Sequence, residues 1–391
     1  MRPLFASSPE LRSILSAALL FALFVPATRA KAAGDEDERY AEPQRFIGIW
    51  YAVYKNDPAE VKKVLDAGLD VNSKSRRGGY IQPGLTGLHF AVKNDAVEAA
   101  DVLLAHGADV EARDPQGRTP LHYTVERLLH TSVPELRERI TRLLDLLLAH
   151  KADIDGEDDA GWTPLHLAAL HYADSRQTLE LLLAKGGRHD IFVAAATGNI
   201  ERVTTLLAMR PELSRRALKG GSTPLHVAAR IGKPEVAKLL LDAGANVQAR
   251  DEEGQTPLHR ACLGFRHGQR EVVQLLLVKT LAVNVRDNLG RTPLHYAAQY
   301  WGSQTNIPGQ LLAKGAAVNA RDDRGLTPLH YAVYEAGRTE ICELLLSHGA
   351  DLDAETVAGI TPVELARMHP EKTELNAWFD ELLAKENTKP R

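Results

Sequence analysis

Cysteine is almost missing from this chain of 391 residues: Cys262 and Cys342 are the only two. Two thiols cannot make a disulfide framework. Aromatic residues are few, at 6%. No excess of positive charge marks a nucleic-acid binder, since the formal net charge is −4. The strings that usually announce chemistry are absent too. There is no HExxH, no paired CxxC, no Walker A string and no GxSxG. "KGGST" at 219–223 is rich in glycine but lacks phosphate-loop spacing, and it reads as a turn followed by a helix cap. What remains is 44% apolar and 25% charged residues, a balance that supports a packed core and argues against global disorder.

The N-terminal stretch differs from the rest. Arg2 and Arg12 precede the apolar run "ILSAALLFALFV", 14–25, and Ala30 and Ala32 flank Lys31 with small residues. This is the three-part layout of a secretory signal peptide spanning 1–32. A run of twelve residues covers only about 18 Å of helix, against about 30 Å of membrane hydrocarbon, which disfavours an anchor. Residues 33–45, including "GDEDERYAEPQR", are charged and aperiodic and read as an acidic linker. Residues 387–391 read as a disordered tail.

Between these ends the sequence repeats itself. "TPLH" stands at 119–122, 163–166, 223–226, 256–259, 292–295 and 327–330, with "TGLH" at 86–89 and "TPVE" at 361–364. Successive histidines fall 33 to 36 residues apart in most cases. Two degenerate units place Trp50 and Phe192 at the histidine position, so ten units are centred on 50, 89, 122, 166, 192, 226, 259, 295, 330 and 364. Within a unit, threonine caps a helix and proline occupies its first turn, where its missing N–H costs nothing. A short alanine-rich helix follows, then a second helix whose leucines recur at three and four, as in "PEVAKLLLDAG". Glycine ends that helix, and a segment such as "ANVQARDEEGQ" suits a hairpin-like turn.

The pattern resembles the ankyrin repeat, whose signature at a period of 33 is the same "TPLHxA" string. The resemblance covers roughly 46–386. It implies an all-α repeat solenoid of about ten stacked helix-turn-helix units with short hairpin-like connections, each unit burying the leucine face of the next. It also implies that His89, His122, His166, His226, His259, His295 and His330 are structural. Each would fasten a helix start to its own threonine and to the adjoining unit. Stacked units lie on the order of 10 Å apart, too far for their imidazoles to share a metal ion.

Spacing marks the irregular places. Six extra residues fall between Gly68 and His89, around "RRGGYIQPG". The turn between Gly186 and Phe192 is almost missing, so a tight joint is expected there. About eleven residues are added after His122, and shorter insertions follow His166, His259 and His295. These are expected to be loops at the helix ends opposite the hairpins. The last unit, with Pro370 starting a longer helix, has the polar residues of a cap: Asp380, Glu381, Lys385 and Glu386.

No arrangement of residues suggests catalysis. His166 and His171 are five apart and share no helix face, and His130, His150, His267 and His348 have no partner pattern. The cysteines read as buried thiols, and the "ARD" pairs, such as Arg113-Asp114, Arg250-Asp251 and Arg321-Asp322, as turn residues with a charged ladder. Recognition is therefore the expected function, without cofactor or metal. The resemblance implies a protein partner bound on the concave face made by hairpins and first helices. Aromatic residues gather there unevenly: Tyr296, Tyr300, Trp301, Tyr331 and Tyr334 within 296–334, with Trp162 in an earlier turn. Tyr296 and Tyr331 have packing as an equal alternative, whereas Tyr300, Trp301 and Tyr334 are expected to be exposed. The expectation is a monomeric, non-enzymatic scaffold, periplasmic or secreted, with no nucleic-acid partner and no membrane contact after signal cleavage. The alternatives are an enzyme or accessory subunit using the inserted segments 73–84 or 123–145, and a secreted effector acting in another cell.

Overall fold

The computed structural model describes residues 43–75, 82–263, 268–280, 282–300, 307–336 and 339–387. The expected signal segment and the end of the tail lie outside them. Backbone proximity divides the chain into Met1–Ile47 and Gly48–Arg391. Of the first part, only the opening of a helix is described.

The described residues form ten helical pairs. They are α1 (Pro43–Tyr54) with α2 (Pro58–Asp66), α3 (Gly87–Lys93) with α4 (Val97–Ala105), and α5 (Pro120–Leu129) with α6 (Pro134–Ala149). Then come α7 (Pro164–Leu170) with α8 (Tyr172–Ala184), α9 (Ile191–Thr197) with α10 (Ile200–Met209), and α11 (Pro224–Ile231) with α12 (Pro234–Asp242). The series closes with α13 (Pro257–Cys262) and α14 (Gln269–Lys279), α15 (Pro293–Tyr300) and α16 (Ile307–Ala313), α17 (Pro328–Tyr331) and α18 (Thr339–Ser347), and α19 (Pro362–Arg367) and α20 (Thr373–Asn387). First helices pack on first helices and second helices on second helices, giving two parallel rows. The core lies between the rows. Alanines such as Ala91, Ala168, Ala228 and Ala297 are fully buried where first helices meet, beside leucines such as Leu103, Leu147 and Leu240 from the second row. This is an all-α repeat solenoid.

The turns are stitched to one another along their edge. Asp159 N–H donates to Gln116 O (3.0 Å), Asn288 N–H to Glu253 O (2.9 Å), Asp323 N–H to Leu289 O (3.0 Å) and Val357 N–H to Arg324 O (2.8 Å). At the short joint the row closes over the gap. Gly220 N–H reaches Ala160 O (2.8 Å), so the turn before α11 meets the turn before α7 and the pair α9–α10 has no turn between them. Side chains at one column add a second seam. Asn284 donates to Gly315 O (2.9 Å) and accepts from Ala317 N–H (2.8 Å), and Asn319 does the same with Gly349 and Asp351.

Three expectations are corrected. The first helix begins at Pro43, inside the segment read as linker, because "PQRFIGIWYAVY" continues one helical face upstream. The insertion after His122 is not a loop. It lengthens α5 to 10 residues and α6 to 16, and Leu128, Ile140, Leu143 and Leu144 are fully buried within it. Likewise α8 starts one residue after α7 ends, with only His171 between them. Pro370 lies in a turn, and the terminal helix starts at Thr373. Leu375 and Phe379 seal that helix against the array while Asp380 and Glu381 face water.

The close approach of neighbouring turns requires glycine. Gly290 has φ +75°, and a Cβ there would lie 2.3 Å from Asp323 Oδ1 and 2.9 Å from Asp323 N. Gly315 has φ +83° with nothing within 4 Å. Gly290→Ala combines left-handed strain with collision and should lower stability by about 2 kcal/mol or more, whereas Gly315→Ala should cost only the strain, about 1 kcal/mol. Urea unfolding of the two variants checks this, and equal losses would contradict it.

Candidate partner-binding face

Seven of the ten first helices start from a threonine and a histidine bonded to each other. The histidine acts as the third residue of a capping box, where glutamate is usual. Thr256 N–H donates to His259 Nδ1 (3.0 Å), and Thr256 Oγ1 lies 2.9 Å from the same nitrogen. Because Nδ1 accepts a backbone N–H, the proton sits on Nε2, which donates onward to Arg291 O of the next unit (3.2 Å). The same two-ended bond recurs. His89 reaches Arg118 O (3.1 Å), His122 Trp162 O (3.0 Å), His226 Gln255 O (3.1 Å), His295 Leu326 O (3.1 Å) and His330 Ile360 O (3.1 Å). The acceptor is always the residue just before the next capping threonine or Thr361. With both ring nitrogens engaged, none of these imidazoles is available as a metal ligand or base.

Two units show how the rule adapts. His166 has no following turn, and its Nε2 lies 3.2 Å from Asp190 Oδ1 instead. That carboxylate also caps α9 through Phe192 N–H and Val193 N–H. Glu364 forms an ordinary capping box with Thr361 N–H (2.9 Å). It stands in the last described unit, and among the described residues no further turn follows it.

The first residue after the histidine carries a second network. The Tyr296 ring stands edge-on to His259 (5.9 Å) and the Tyr331 ring edge-on to His295 (5.3 Å). Tyr296 is 2% exposed. Its hydroxyl donates to Asp287 Oδ2 (2.6 Å) and accepts from Gln255 Nε2 (2.8 Å). The Tyr331 hydroxyl donates to Asp322 Oδ2 (2.9 Å). Tyr296 is therefore corrected from candidate binding residue to inter-unit packing, because its polar end is satisfied inside the protein. Tyr331 is half-buried and spends its hydroxyl the same way. Burial, then the neighbouring carboxylate, raises both phenols well above the ordinary range. Tyr123, not singled out from the sequence, does the same with Asp114 (2.7 Å) and Arg118.

The "ARD" pairs divide their labour. The aspartates are buried: Asp114, Asp251, Asp287 and Asp322 turn inward, and Asp287 Oδ1 accepts from Leu289 N–H and Arg291 N–H. Burial works to raise Asp287, but the Tyr296 hydroxyl and Arg291 outweigh it and hold the carboxyl below its usual range. The arginines form the exposed ladder, Arg113 reaching Glu157 O (3.0 Å) and Arg250 reaching Arg286 O (2.7 Å).

Of the remaining aromatic candidates, Tyr300 at the end of α15 and Tyr334 are half-buried rather than fully exposed, and Trp301 lies outside the described residues. Tyr334 belongs to a π-helical turn, Ala332–Ala336, that continues α17 and packs on α15. Its ring meets His369 edge-on (5.3 Å) and lies under Lys372 (5.6 Å), so the terminal unit covers part of it. Trp162 is half-buried against His166 (5.8 Å), four units earlier, and does not join them. The rings of His130 and His171, at the ends of α5 and α7, do meet (6.0 Å), a pairing their separation in sequence concealed. Cys262 and Cys342 are buried, and burial pushes the Cys342 thiol up to about 12.

A family model described as ankyrin repeats in three copies matches residues 49–139, 191–287 and 265–356, and a single-repeat model described as ankyrin repeat matches 160–196. The chain belongs to the ankyrin-repeat family. Among similar proteins, Rabankyrin-5 of mouse is 27% identical over 221 residues, covering 52% of this chain and 18% of that protein. The Neurogenic locus Notch protein of Drosophila melanogaster is 48% identical over 59 residues, 15% of this chain and 2% of that one. E3 ubiquitin-protein ligase XB3 of rice is 42% identical over 79 residues, 20% and 18% respectively. The chain thus spans less than a fifth of the length of each of these relatives.

The ankyrin histidines make the array acid-sensitive. Burial holds His89, His259 and His295 down at about 4 against an ordinary 6.5, and lowers His122, His226 and His330 as well. Between those two pH values the unfolded chain binds protons that the folded one refuses. The contribution is complete above pH 6.5 and lost as pH falls towards 4, at roughly 3 kcal/mol for each of the first three. Urea midpoints should drop steeply from pH 7 to pH 5, and a flat profile would contradict this. Tyr296→Phe removes a buried hydroxyl from Asp287 and Gln255 and should cost about 1–2 kcal/mol, measured by the same denaturation at pH 7.

Proposed function

We propose that this ankyrin array is an exported, non-enzymatic scaffold that holds a protein partner on the face formed by its first helices and turns. Ankyrin repeats are protein-interaction modules, and their match to most of 49–356 is the observation that carries this reading. The polar groups that could do chemistry in the first helices are already engaged. Histidines tie helix starts to the next turn, tyrosine hydroxyls tie first helices to turn aspartates, and both thiols are buried. What is left for a partner is surface shape and partly open rings. Tyr300, at the end of α15, and Tyr334, in the π-helical turn packed on it, are the centre we assign to it. Tyrosine is enriched among residues that dominate binding energy.

Export rests on residues 1–32, with their basic start, short apolar run and small-residue cleavage pattern. Among the described residues, no helix is long and apolar enough to cross a membrane. The segment 123–145, which could have held a separate site, is mostly helix whose leucines serve the core.

The test pairs localisation with binding. Cell fractionation and the mass of the mature chain report whether 1–32 is removed, and retention of the full-length chain in the cytosol would overturn the export reading. Tyr300→Ala with Tyr334→Ala should weaken capture of the partner from an envelope fraction by about 2 kcal/mol or more without loss of helicity. Undiminished capture would move the binding centre elsewhere on the array.

A further inference from the structure

The joint without a turn, between α8 and α9, opens a cavity of about 290 Å³. Its walls are the short link 188–191, α10, and the 3₁₀ segment Pro211–Arg215 with its flanks.

Four arginines line the space: Arg188, Arg202, Arg210 and Arg216. Arg188 is partly balanced by Asp155, with Nε and Oδ2 3.7 Å apart. Arg202 donates through Nε and Nη2 to His189 O (3.3 and 3.1 Å), which fixes its guanidinium at the wall. Arg216 lies over the Phe192 ring at 5.8 Å. Among the described residues, no carboxylate lies within ion-pair distance of Arg202, Arg210 or Arg216. Asp190 is the one carboxylate in the lining, and its Oδ1 already accepts from the His166 ring and two backbone N–H groups. His189 also lines the space, and its Nε2 is buried without a hydrogen-bond partner among the described residues.

A chain of net charge −4 thus gathers unbalanced positive charge in one hollow backed by Ile191, Leu206 and Leu213. Apolar walls concentrate the field of such a cluster. Guanidinium groups present paired donors that suit phosphate oxygens. One carboxylate offers two oxygens and satisfies a single fork. A phosphoryl group offers three terminal oxygens and a double charge, which suits several arginines drawn from different segments. The volume sits at the low end for ligand pockets and suits a phosphoryl group with a short attached chain.

We propose that this hollow binds a phosphate monoester, the dianion held by Arg202, Arg210 and Arg216 with His189 in the wall behind them. The ester can be a free small molecule or a phosphorylated side chain, and the chemistry recognised is the same. The site is separate from the face around Tyr300 and Tyr334, so the two readings fail independently.

Isothermal titration of the full-length protein tests this with inorganic phosphate, O-phosphoserine, and a serine peptide in phosphorylated and plain forms. Phosphoserine or the phosphopeptide should bind, the plain peptide should not, and added salt should weaken the binding. Arg210→Gln with Arg216→Gln should reduce affinity about tenfold or more. Both side chains are exposed, so the fold should hold, as a thermal melt would report. Arg202→Gln gives a second variant with the same expectation. Tyr300→Ala with Tyr334→Ala should leave phosphate binding intact. Binding of free phosphoserine as tight as the phosphopeptide assigns a small-molecule source, and binding of the phosphopeptide alone assigns a polypeptide. Absence of binding by every phosphorylated probe, or equal affinity in the arginine variants, overturns the proposal.

Discussion

An imidazole shared between two units is the interaction on which the array depends. One nitrogen accepts from the threonine that starts its own helix, and the other donates to the carbonyl just before the next threonine. The bond therefore fixes a helix start and a unit-to-unit distance together. It also explains the tyrosines, since a ring at the following position lands on the imidazole of the preceding unit, as Tyr296 does on His259. The link acts through space and not along the chain. His122 reaches Trp162 at 3.0 Å although the helices between them are lengthened.

The repeating frame was readable because its causes are local. Threonine, proline and histidine within four positions specify a cap, a first turn and a ring at a known place. The tight joint was readable as a shortened spacing between Gly186 and Phe192. What could not be read depends on contacts between units. Tyr296 and Tyr300 are close in sequence and both aromatic, yet one is sealed by Asp287 and Gln255 and the other is half open. Asp190 looks like a plain helix cap until the missing carbonyl opposite His166 is known. The arginines around the hollow are scattered over 188–216 and show no pattern until α10 and the segment after it are folded back.

Apart from the six residues added around "RRGGYIQPG" in the first turn, insertions collect at one end of the helices for a reason the turn edge supplies. Five of the turns give a backbone N–H to the one before, and glycines such as Gly290 leave no room for a side chain between them. An added residue there would break two contacts at once. At the opposite end, α5 and α6 simply grow by further turns and bury the new leucines. The extra length after His122 is thus core, not decoration.

The row of histidines also has a direction. Every bond runs from an earlier unit to a later one, and it stops at Glu364, whose carboxylate satisfies only its own helix. A carboxylate has no proton to pass forward at neutral pH. The final unit can be held by its predecessor but has nothing with which to hold a successor. An engineer wishing to lengthen this molecule at its C-terminal side would have to restore histidine at 364 and strip away α20, whereas grafting units among the earlier histidines would meet donors and acceptors already facing the right way.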